Sequence, residues 1–402
     1  MIDIINIFTL LGVTLLLGYV CSIIFKKTQI PDVIWLLLFG FLIGPILNLV
    51  DRTIFISMAP VLAAIALLII LFDAGLEMKL YEVIKEFPRG ILLSIIGISL
   101  TIISIAVASV FLFNFDWIRA FLLGSIIGGP SSAIVVCTLE KLNIRENVRT
   151  LLDLESIFTD PIDVVLTLAL IQVYASTISP YSVIGNIVNA FSVGATTGFL
   201  VGIIWLFLIK KIKENVNYIL TFAILLLVYA FVESLGGSGA IAALVFGIVL
   251  GSSEIISKFL RFKKCISIDP SLKKFHEEIT FFIKSFFFVT MGIIVSINSN
   301  FIIQGIIITF VIAFFRVIAV KISTYGMKLT KFETNLMKVT IPQGLATAVM
   351  AYMPLIYGVK DAEVFLNIAF IVIMATIIYT TIGIKILYNR ERNENAKPKE
   401  SL

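Results

Sequence analysis

The sequence predicts an all-α, polytopic membrane protein, and three observations support that prediction. First, 59% of the 402 residues are hydrophobic and only 14% are charged, whereas charged residues make up about 25% of ordinary soluble domains. Second, apolar runs long enough to cross a bilayer as helices recur along the whole chain. Third, the basic residues lie in the short segments between those runs. This distribution is a topology signal and not a basic patch for nucleic acid.

Thirteen apolar runs are interpreted as transmembrane helices. In chain order, they cover approximately residues 4–25, 31–49, 55–76, 90–113, 118–139, 154–175, 183–209, 216–234, 237–253, 277–297, 301–321, 335–356 and 363–387. The first run is longer than a signal-peptide core and no small-residue cleavage site follows it, so we expect it to be retained. Residues 1–388 are predicted to form one transmembrane domain, and residues 389–402 a short cytoplasmic tail.

The basic residues also orient the chain. When the segments between spans are assigned alternately to two sides, most of the 31 Lys and Arg residues fall on one side. Arg52, Arg119 and Lys360 fall on the other side, and Lys284 and Arg316 lie inside predicted helices. The positive-inside rule then places the N-terminus outside and the C-terminus in the cytoplasm. The expected location is the plasma membrane.

Two parts of the chain resemble each other. LLFGFLIG at residues 37–44 returns as LVFGIVLG at 244–251, and LFDAG at 71–75 returns more weakly as FVTMG at 288–292. Spans 1–6 therefore correspond to spans 8–13. Because span 7 separates these two six-helix units, they are predicted to enter the membrane from opposite sides and to be inverted repeats.

Matching interruptions strengthen the predicted repeat. Pro130 in span 5 and Pro342 in span 12 stand 212 residues apart, close to the other two offsets of 207 and 217 residues. Spans 5 and 12 are therefore predicted to be broken helices that cross near the midplane. Inverted repeats with broken helices are typical of secondary transporters, which bind substrate near the bilayer midplane.

Asp160 is the centre of the predicted site. A charged side chain at bilayer depth costs about 2.5 to 3.5 kcal/mol on insertion scales, so such residues usually serve a pathway or a proton relay. Three neighbours on span 6, Ser156, Thr159 and Asp163, follow three- and four-residue spacings and share one helical face with Asp160.

The interruption of span 5 supplies further oxygen ligands. Pro130 frees backbone carbonyls, and Ser131 and Ser132 add two hydroxyls. Carboxylate, hydroxyl and carbonyl oxygens suit an alkali cation better than zinc or copper. A buried carboxylate can hold a proton or a cation in turn, and binding of one expels the other. The pattern predicts cation/proton exchange at Asp160 without a resident cofactor.

Five further charged residues within the spans have open roles. Glu155 and Arg316 are expected to form a buried ion pair, either purely structural or bracing the site. Lys284 either snorkels toward the cytoplasm or modulates transport. Asp73 either faces water at a helix end or belongs to a second site, and Asp163 either titrates as a second acid or lines the cavity.

Two other classes of protein are weighed as rivals. GGSG at 236–239 has the Gly-x-Ser-Gly form of an intramembrane serine protease, but the only histidine, His276, is predicted on the opposite side from Ser238. An aspartyl protease would need facing acids such as Asp73 and Asp160, and the chain has no Gly-x-Gly-Asp signature. A cation channel has no need of a titrating acid beside paired broken helices. We therefore expect no enzyme.

The chain resembles the monovalent cation:proton antiporters over nearly its whole length, particularly the NhaP-like sodium/proton exchangers of archaea and bacteria and their animal NHE relatives. ESIFTDP resembles the Glu-Ser-x-x-Asn-Asp-Pro motif of the sixth helix, and FFRVIAV resembles the eleventh-helix segment with its basic residue. The resemblance implies that Asp160 exchanges Na⁺ and H⁺, with Ser156 and Glu155 beside it. It also implies that Glu155 pairs with Arg316.

The resemblance further implies the mechanism and the partners. Core helices, about residues 90–175 and 301–387, would move by alternating access against scaffold helices, about 4–76 and 183–297, and the scaffold would form a homodimer in the lipid bilayer. Two departures leave the ligand set open: Thr159 replaces the usual Asn, and GGPSS replaces a Thr-Asp-Pro motif. LFDAGLE and the serine pair are also similar to the Kef-like branch, which handles K⁺. The choice among Na⁺, Li⁺ and K⁺ and the stoichiometry therefore stay open.

Overall fold

A computed structural model describes most of the chain. The described residues are 9, 12–21, 23, 31–77, 87–139, 142, 144–175, 180–209, 217–259, 270–296 and 298–396. They form helices joined by short turns and contain no strand. The helices are α1 (Gly12–Cys21), α2 (Asp32–Phe41), which continues into a π-turn (Leu42–Ile46), α3 (Arg52–Glu77), α4 (Phe87–Phe113), α5 (Trp117–Ile126), α6 (Ser132–Leu139), α7 (Glu146–Ala175), α8 (Pro180–Ile209), α9 (Asn217–Ser234), α10 (Gly239–Gly251), α11 (Ser253–Phe259), α12 (Pro270–Ile294), α13 (Ser299–Ser323), α14 (Lys331–Val339), α15 (Leu345–Ile356) and α16 (Ala362–Ala396).

Each predicted span overlaps at least one of these helices, which confirms the all-α class. Several helices extend past their predicted limits, and α7 and α16 extend the farthest. The helix of span 6, α7, begins at Glu146 and not near residue 154, so Asp160 lies in its middle. The last helix, α16, continues into the predicted tail as far as Ala396. Both extensions are charged, and hydropathy does not detect them although Glu, Lys and Arg are good helix formers.

Length and apolarity alone identify fewer membrane crossings than predicted. Within the described ranges, α4, α7, α8, α13 and α16 are long and apolar enough to cross a bilayer, and α3 makes six if its two parts, bent by 49°, count as one span. Shorter apolar helices include α1, α5, α9, α10 and α15. The count of thirteen spans stays a prediction.

Spans 5 and 12 are broken, as predicted. In span 5, residues 127–131 separate α5 from α6, and in span 12 residues 340–344 separate α14 from α15. Each gap contains a proline, which has no N–H to donate to a helix. The two gaps touch, because the Ser131 N–H donates to the Pro342 carbonyl at 2.7 Å.

Glycines let two further helix pairs pack backbone to backbone. On α2, Gly40 lies against the backbone of Val289 and Gly292 of α12. On α10, Gly247 lies against the backbone of Phe72 and Gly75 of α3. In the predicted repeat α2 corresponds to α10 and α3 to α12, so the two packings are equivalent. The inverted repeat itself stays a prediction.

The helices pack as two groups. The first group contains α4–α7 and α13–α16, in which α4 packs on α13 and α7 packs on α4 and α5. The second group contains α1–α3 and α8–α12, in which α10 packs on α3 and α8, and α12 on α2 and α3. Asp160 lies in the first group, and the division into a moving core and a scaffold stays a prediction.

Candidate cation and proton site

Asp160 is buried in the middle of α7, with 6% of its surface exposed. Its Oδ2 accepts a hydrogen bond from the Ser132 hydroxyl at 2.9 Å. The backbone N–H of Ser132, the first residue of α6, lies 3.3 Å from the same oxygen. The partially positive N-terminal end of this half-helix therefore faces the carboxylate. These donors stabilise the negative charge of the buried carboxylate.

Thr159 and two glycines fit the break of span 5 against α7. The Thr159 hydroxyl donates to the Pro130 carbonyl at 3.3 Å and to the Ser156 carbonyl at 3.1 Å. A Cβ at Gly129 would overlap the Thr159 side chain, and a Cβ at Gly128 would overlap the Asp163 carboxylate. Glycine at both positions lets the backbone of the break approach the acidic face of α7.

Asp163 provides a second buried carboxylate one turn farther along α7. It is 4% exposed, and its Oδ1 has no hydrogen-bond partner among the described residues. It is close enough to Asp160 for the two charges to interact. Two acids therefore face the break of span 5, as the common helical face of Asp160 and Asp163 suggests.

Ser131 and Ser156 make other contacts. Ser131 belongs to the contact between the two breaks, where a Cβ at Gly344 would overlap its side chain. The Ser156 hydroxyl donates to the Asp153 carbonyl of its own helix at 3.0 Å. Of the two serines that follow Pro130, Ser132 donates to the Asp160 carboxylate.

The second break contributes polar groups that the sequence analysis missed. The Gln343 N–H donates to the Thr376 hydroxyl at 3.1 Å, and the Thr347 hydroxyl donates to the Gln343 side-chain oxygen at 2.8 Å. Gln343 directly follows Pro342 and is fully buried. The sequence signal for Gln343 was its position as a polar residue directly after the predicted interruption at Pro342.

Glu155 and Arg316 form a buried ion pair between α7 and α13. Arg316 binds both carboxylate oxygens of Glu155, with 2.7 Å between Nη2 and Oε2. The Arg316 Nε donates to the Met337 carbonyl of α14 at 2.9 Å. The pair therefore links three helices of the first group. A small cavity extends from this pair to Gly128 and Gln343 at the two breaks.

Lys284 and Asp73 lie in the second helix group, where each has a partner that was not predicted. The Lys284 Nζ binds both carboxylate oxygens of Asp32 at 2.9 and 3.0 Å. Asp73 accepts from the Thr280 hydroxyl at 2.5 Å. Both partners lie near the ends of predicted spans, where polar residues are ordinary and gave no signal.

The serine-protease alternative named two residues, Ser238 in the GGSG motif and His276. The Ser238 hydroxyl accepts from the Ile241 N–H at 3.4 Å and caps α10, so the GGSG motif is a helix start. The side chain of His276 lies outside the described part of the chain. Within the described part, no three His, Cys, Asp or Glu residues could together hold a metal ion.

Known proteins resemble this chain in sequence. The K(+)/H(+) antiporter NhaP2 of Shewanella sp. (strain ANA-3) is 25% identical over 389 residues, which are 94% of this chain and 65% of that protein. The chain therefore spans slightly less than two thirds of this relative. The probable Na(+)/H(+) antiporter 2 of Methanocaldococcus jannaschii is 28% identical over 313 residues, 71% of each chain.

The fold has a solved counterpart. The structure of the sodium proton antiporter MjNhaP1 from Methanocaldococcus jannaschii at pH 8 matches 95% of this chain with a TM-score of 0.80 and 20% sequence identity. Residues 12–390 also match the family model described as "Sodium/hydrogen exchanger, transmembrane". This multi-pass membrane protein belongs to the sodium/hydrogen exchanger family.

Proposed function

We propose that the protein is a secondary antiporter that exchanges a monovalent cation, Na⁺, for H⁺ across the plasma membrane. The observation that carries the proposal is the placement of Asp160, a buried carboxylate beside two touching helix breaks and at the start of a half-helix. Its family consists of transporters, and relatives are named as K(+)/H(+) and Na(+)/H(+) antiporters. A catalytic role is therefore not proposed.

The cation is proposed to bind through oxygen atoms around Asp160. The Ser132 hydroxyl donates to Asp160, and the Thr159 hydroxyl donates to the Pro130 carbonyl at the break. Ser131 and Ser156 would join only after rotating away from their present contacts. Such hard ligands match Na⁺, Li⁺ or K⁺.

Competition at Asp160 couples the two fluxes. A bare carboxylate is costly to carry through the bilayer centre, whereas a protonated or cation-bound carboxylate is neutral. The loaded core, about residues 90–175 and 301–387, would therefore move against the scaffold, about 4–76 and 183–297, in either neutral state. In each cycle, a cation would cross the membrane in one direction and a proton in the other. A homodimer formed by the scaffold is part of the same proposal.

Asp163 bears on the stoichiometry. If Asp160 acts alone, one cation crosses for one proton and no net charge moves. If Asp163 carries a second proton, each turnover moves charge and is coupled to the membrane potential by about 2.3 kcal/mol per charge per 100 mV. Comparing exchange at zero and imposed potential, in the parent and in Asp163→Asn, separates the two schemes.

K⁺/H⁺ exchange is the second candidate. The relative from Shewanella is named a K(+)/H(+) antiporter. The serine pair after Pro130 is also similar to the Kef-like branch, which handles K⁺. Na⁺ and K⁺ differ in size and in dehydration energy, so a direct comparison of the ions decides between them.

Proton movement in sealed proteoliposomes tests the proposal. An imposed pH gradient is followed by a pH-sensitive dye while NaCl, LiCl or KCl is added in turn. We expect cation-triggered dissipation in the parent protein, with the largest response to Na⁺. A largest response to K⁺ would replace the substrate and retain the mechanism. A chain that responds to none of the ions, or conducts without dissipating the pH gradient, contradicts the proposal.

A further inference from the structure

Two ion pairs join the broken spans to each other at opposite ends. The outer ion pair links Arg119, the third residue of α5, to Asp361 in the turn after α15, with 2.6 Å between Nη1 and Oδ2. The inner ion pair links Arg145, between α6 and α7, to Glu333, the third residue of α14, with 2.5 Å between Nε and Oε1. Neither pair takes part in the site around Asp160.

The two pairs have the same relation to the two breaks. In each pair, the third residue of the first half-helix of one broken span forms an ion pair with a residue in the segment that follows the other broken span. Arg119 stands 11 residues before Pro130, and Glu333 stands nine residues before Pro342. The outer ion pair is therefore related to spans 5 and 12 as the inner ion pair is related to spans 12 and 5. Both arginines come from the first unit and both acids from the second.

Local contacts fix the side chains of the outer ion pair. The Arg119 guanidinium lies 4.9 Å from the centre of the Phe115 ring and also binds Asp116. Phe115 in turn stacks on Phe365 of α16, with 5.3 Å between ring centres. A buttressed network of this kind holds its geometry better than an isolated surface pair, which contributes little.

The inner ion pair is equally anchored. Glu333 completes a capping box with Thr330, whose N–H and hydroxyl donate to Oε2 at 2.8 and 3.0 Å. The Arg145 Nη2 donates to the Lys328 carbonyl at 3.0 Å. The hydrogen bond from Arg145 lowers the pKa of Glu333 to about 2. The pair stays charged throughout the neutral range, and protonation would remove its contribution only in strong acid.

We propose that the outer and inner ion pairs hold the two broken spans together as one rigid unit during transport. They act as positioning residues for the site, because that site is built where the two breaks touch, at Ser131 and Pro342. With both ends of both spans tied, the breaks cannot slide past each other while the unit moves. This inference rests on the proposed exchange function.

Cross-linking tests the proposal. In a background with Cys21, Cys137 and Cys265 replaced by serine, the inner ion pair is replaced by Arg145→Cys with Glu333→Cys. A short bifunctional thiol reagent then joins the two positions, and mass spectrometry of the purified protein scores the link. We expect exchange to fall in the unlinked pair and to recover after linking, because the two positions keep their separation through the whole cycle.

A second cysteine pair provides the matched control. Phe287 of α12 and Tyr352 of α15 face each other across the two helix groups, with ring centres 5.2 Å apart. Linking Phe287→Cys to Tyr352→Cys should stop exchange, since the groups move against each other. The inference is overturned if linking 145 to 333 stops exchange, if no link forms, or if the unlinked pair exchanges like the parent. An inactive cysteine-containing parent would instead contradict the proposed function.

Charge reversal provides a measurement that needs no link. Arg145→Glu and Glu333→Arg, each alone, should raise the apparent KM for the cation, because the two breaks would no longer be held in position against each other. The double reversal restores opposite charges and should bring KM back toward the parent value. Equal KM values in all four proteins, measured with equal amounts of folded protein, would contradict the positioning role.

Discussion

At the scale of single residues, close approach of backbone to side chain defines the site. Gly128 and Gly129 bring the break of span 5 against Asp163 and Thr159 with no room for a Cβ. The sequence could indicate Asp160, because a carboxylate within an apolar helix is costly. It could not show that Ser132 donates to Asp160 through both its hydroxyl and its backbone N–H. That choice depends on the path of the backbone through the break.

Gly129→Ala tests the close approach. Its methyl group would overlap the Thr159 side chain and push the break away from α7. Overpacking of this kind costs about 1 to 3 kcal/mol of stability. Because the break would be displaced from Asp160, and small displacements strongly slow reactions at a positioned site, we expect exchange to fall by about tenfold or more. Gly185→Ala is the control, because nothing lies within 4 Å of its added methyl group. Parental exchange by purified, folded Gly129→Ala would contradict this account of the site.

At the scale of helices, paired charges and paired glycines set how the elements meet. Spans 5 and 12 were predictable as broken helices because a proline interrupts each apolar run. The ion pair between Arg119 and Asp361 was not predictable, since 242 residues separate them and each looks like an ordinary residue in a loop or helix start. The pairing of Lys284 with Asp32 was missed for the same reason.

The Glu155–Arg316 ion pair should show strong coupling in stability. Removing one partner leaves an uncompensated buried charge, at a cost of about 3 to 5 kcal/mol. Glu155→Gln and Arg316→Met should each lower the unfolding temperature in detergent. Each of these decreases should be larger than half of the decrease measured for the double variant. The double variant is thus expected to be more stable than the sum of the single effects predicts. Additive effects would mean that the two charges do not stabilise each other.

The equivalent glycine packings should respond alike. Gly40→Val and Gly247→Val each place a branched side chain against the backbone of a neighbouring helix. We expect both to reduce the yield of monodisperse protein in size-exclusion chromatography, by similar factors. Gly12→Val serves as the control, because nothing lies within 4 Å of a Cβ there. A normal yield from either Gly40→Val or Gly247→Val would contradict the account of this packing.

At the scale of the whole molecule, the charge distribution predicts the orientation and the hydropathy pattern predicts the fold class. The all-α class and the two broken spans were predictable from hydropathy and prolines. Burial and contacts between distant helices were not, because apolar runs of similar composition carry no information on which helix is the neighbour. The packing of α2 on α12 and of α10 on α3 therefore required the structure.

Thiol labelling tests the orientation. In the cysteine-free background, Lys360→Cys lies on the predicted outer side and Tyr325→Cys on the predicted cytoplasmic side, and both positions are exposed. A membrane-impermeant maleimide applied to whole cells should label position 360. Position 325 should react only after the cells are permeabilised. The reverse pattern would invert the topology and place the C-terminus outside.

Proton release on cation binding tests the central claim most directly. The purified protein is placed in weakly buffered detergent solution near neutral pH, and NaCl is added while a pH-sensitive dye is read, with choline chloride as the ionic-strength control. Competition at Asp160 predicts that Na⁺ releases protons from the parent protein and from Glu146→Gln, a change outside the site on the same helix. Folded Asp160→Asn should release none. Equal proton release by Asp160→Asn would contradict the account, and Asp163 would then be the next carboxylate to test.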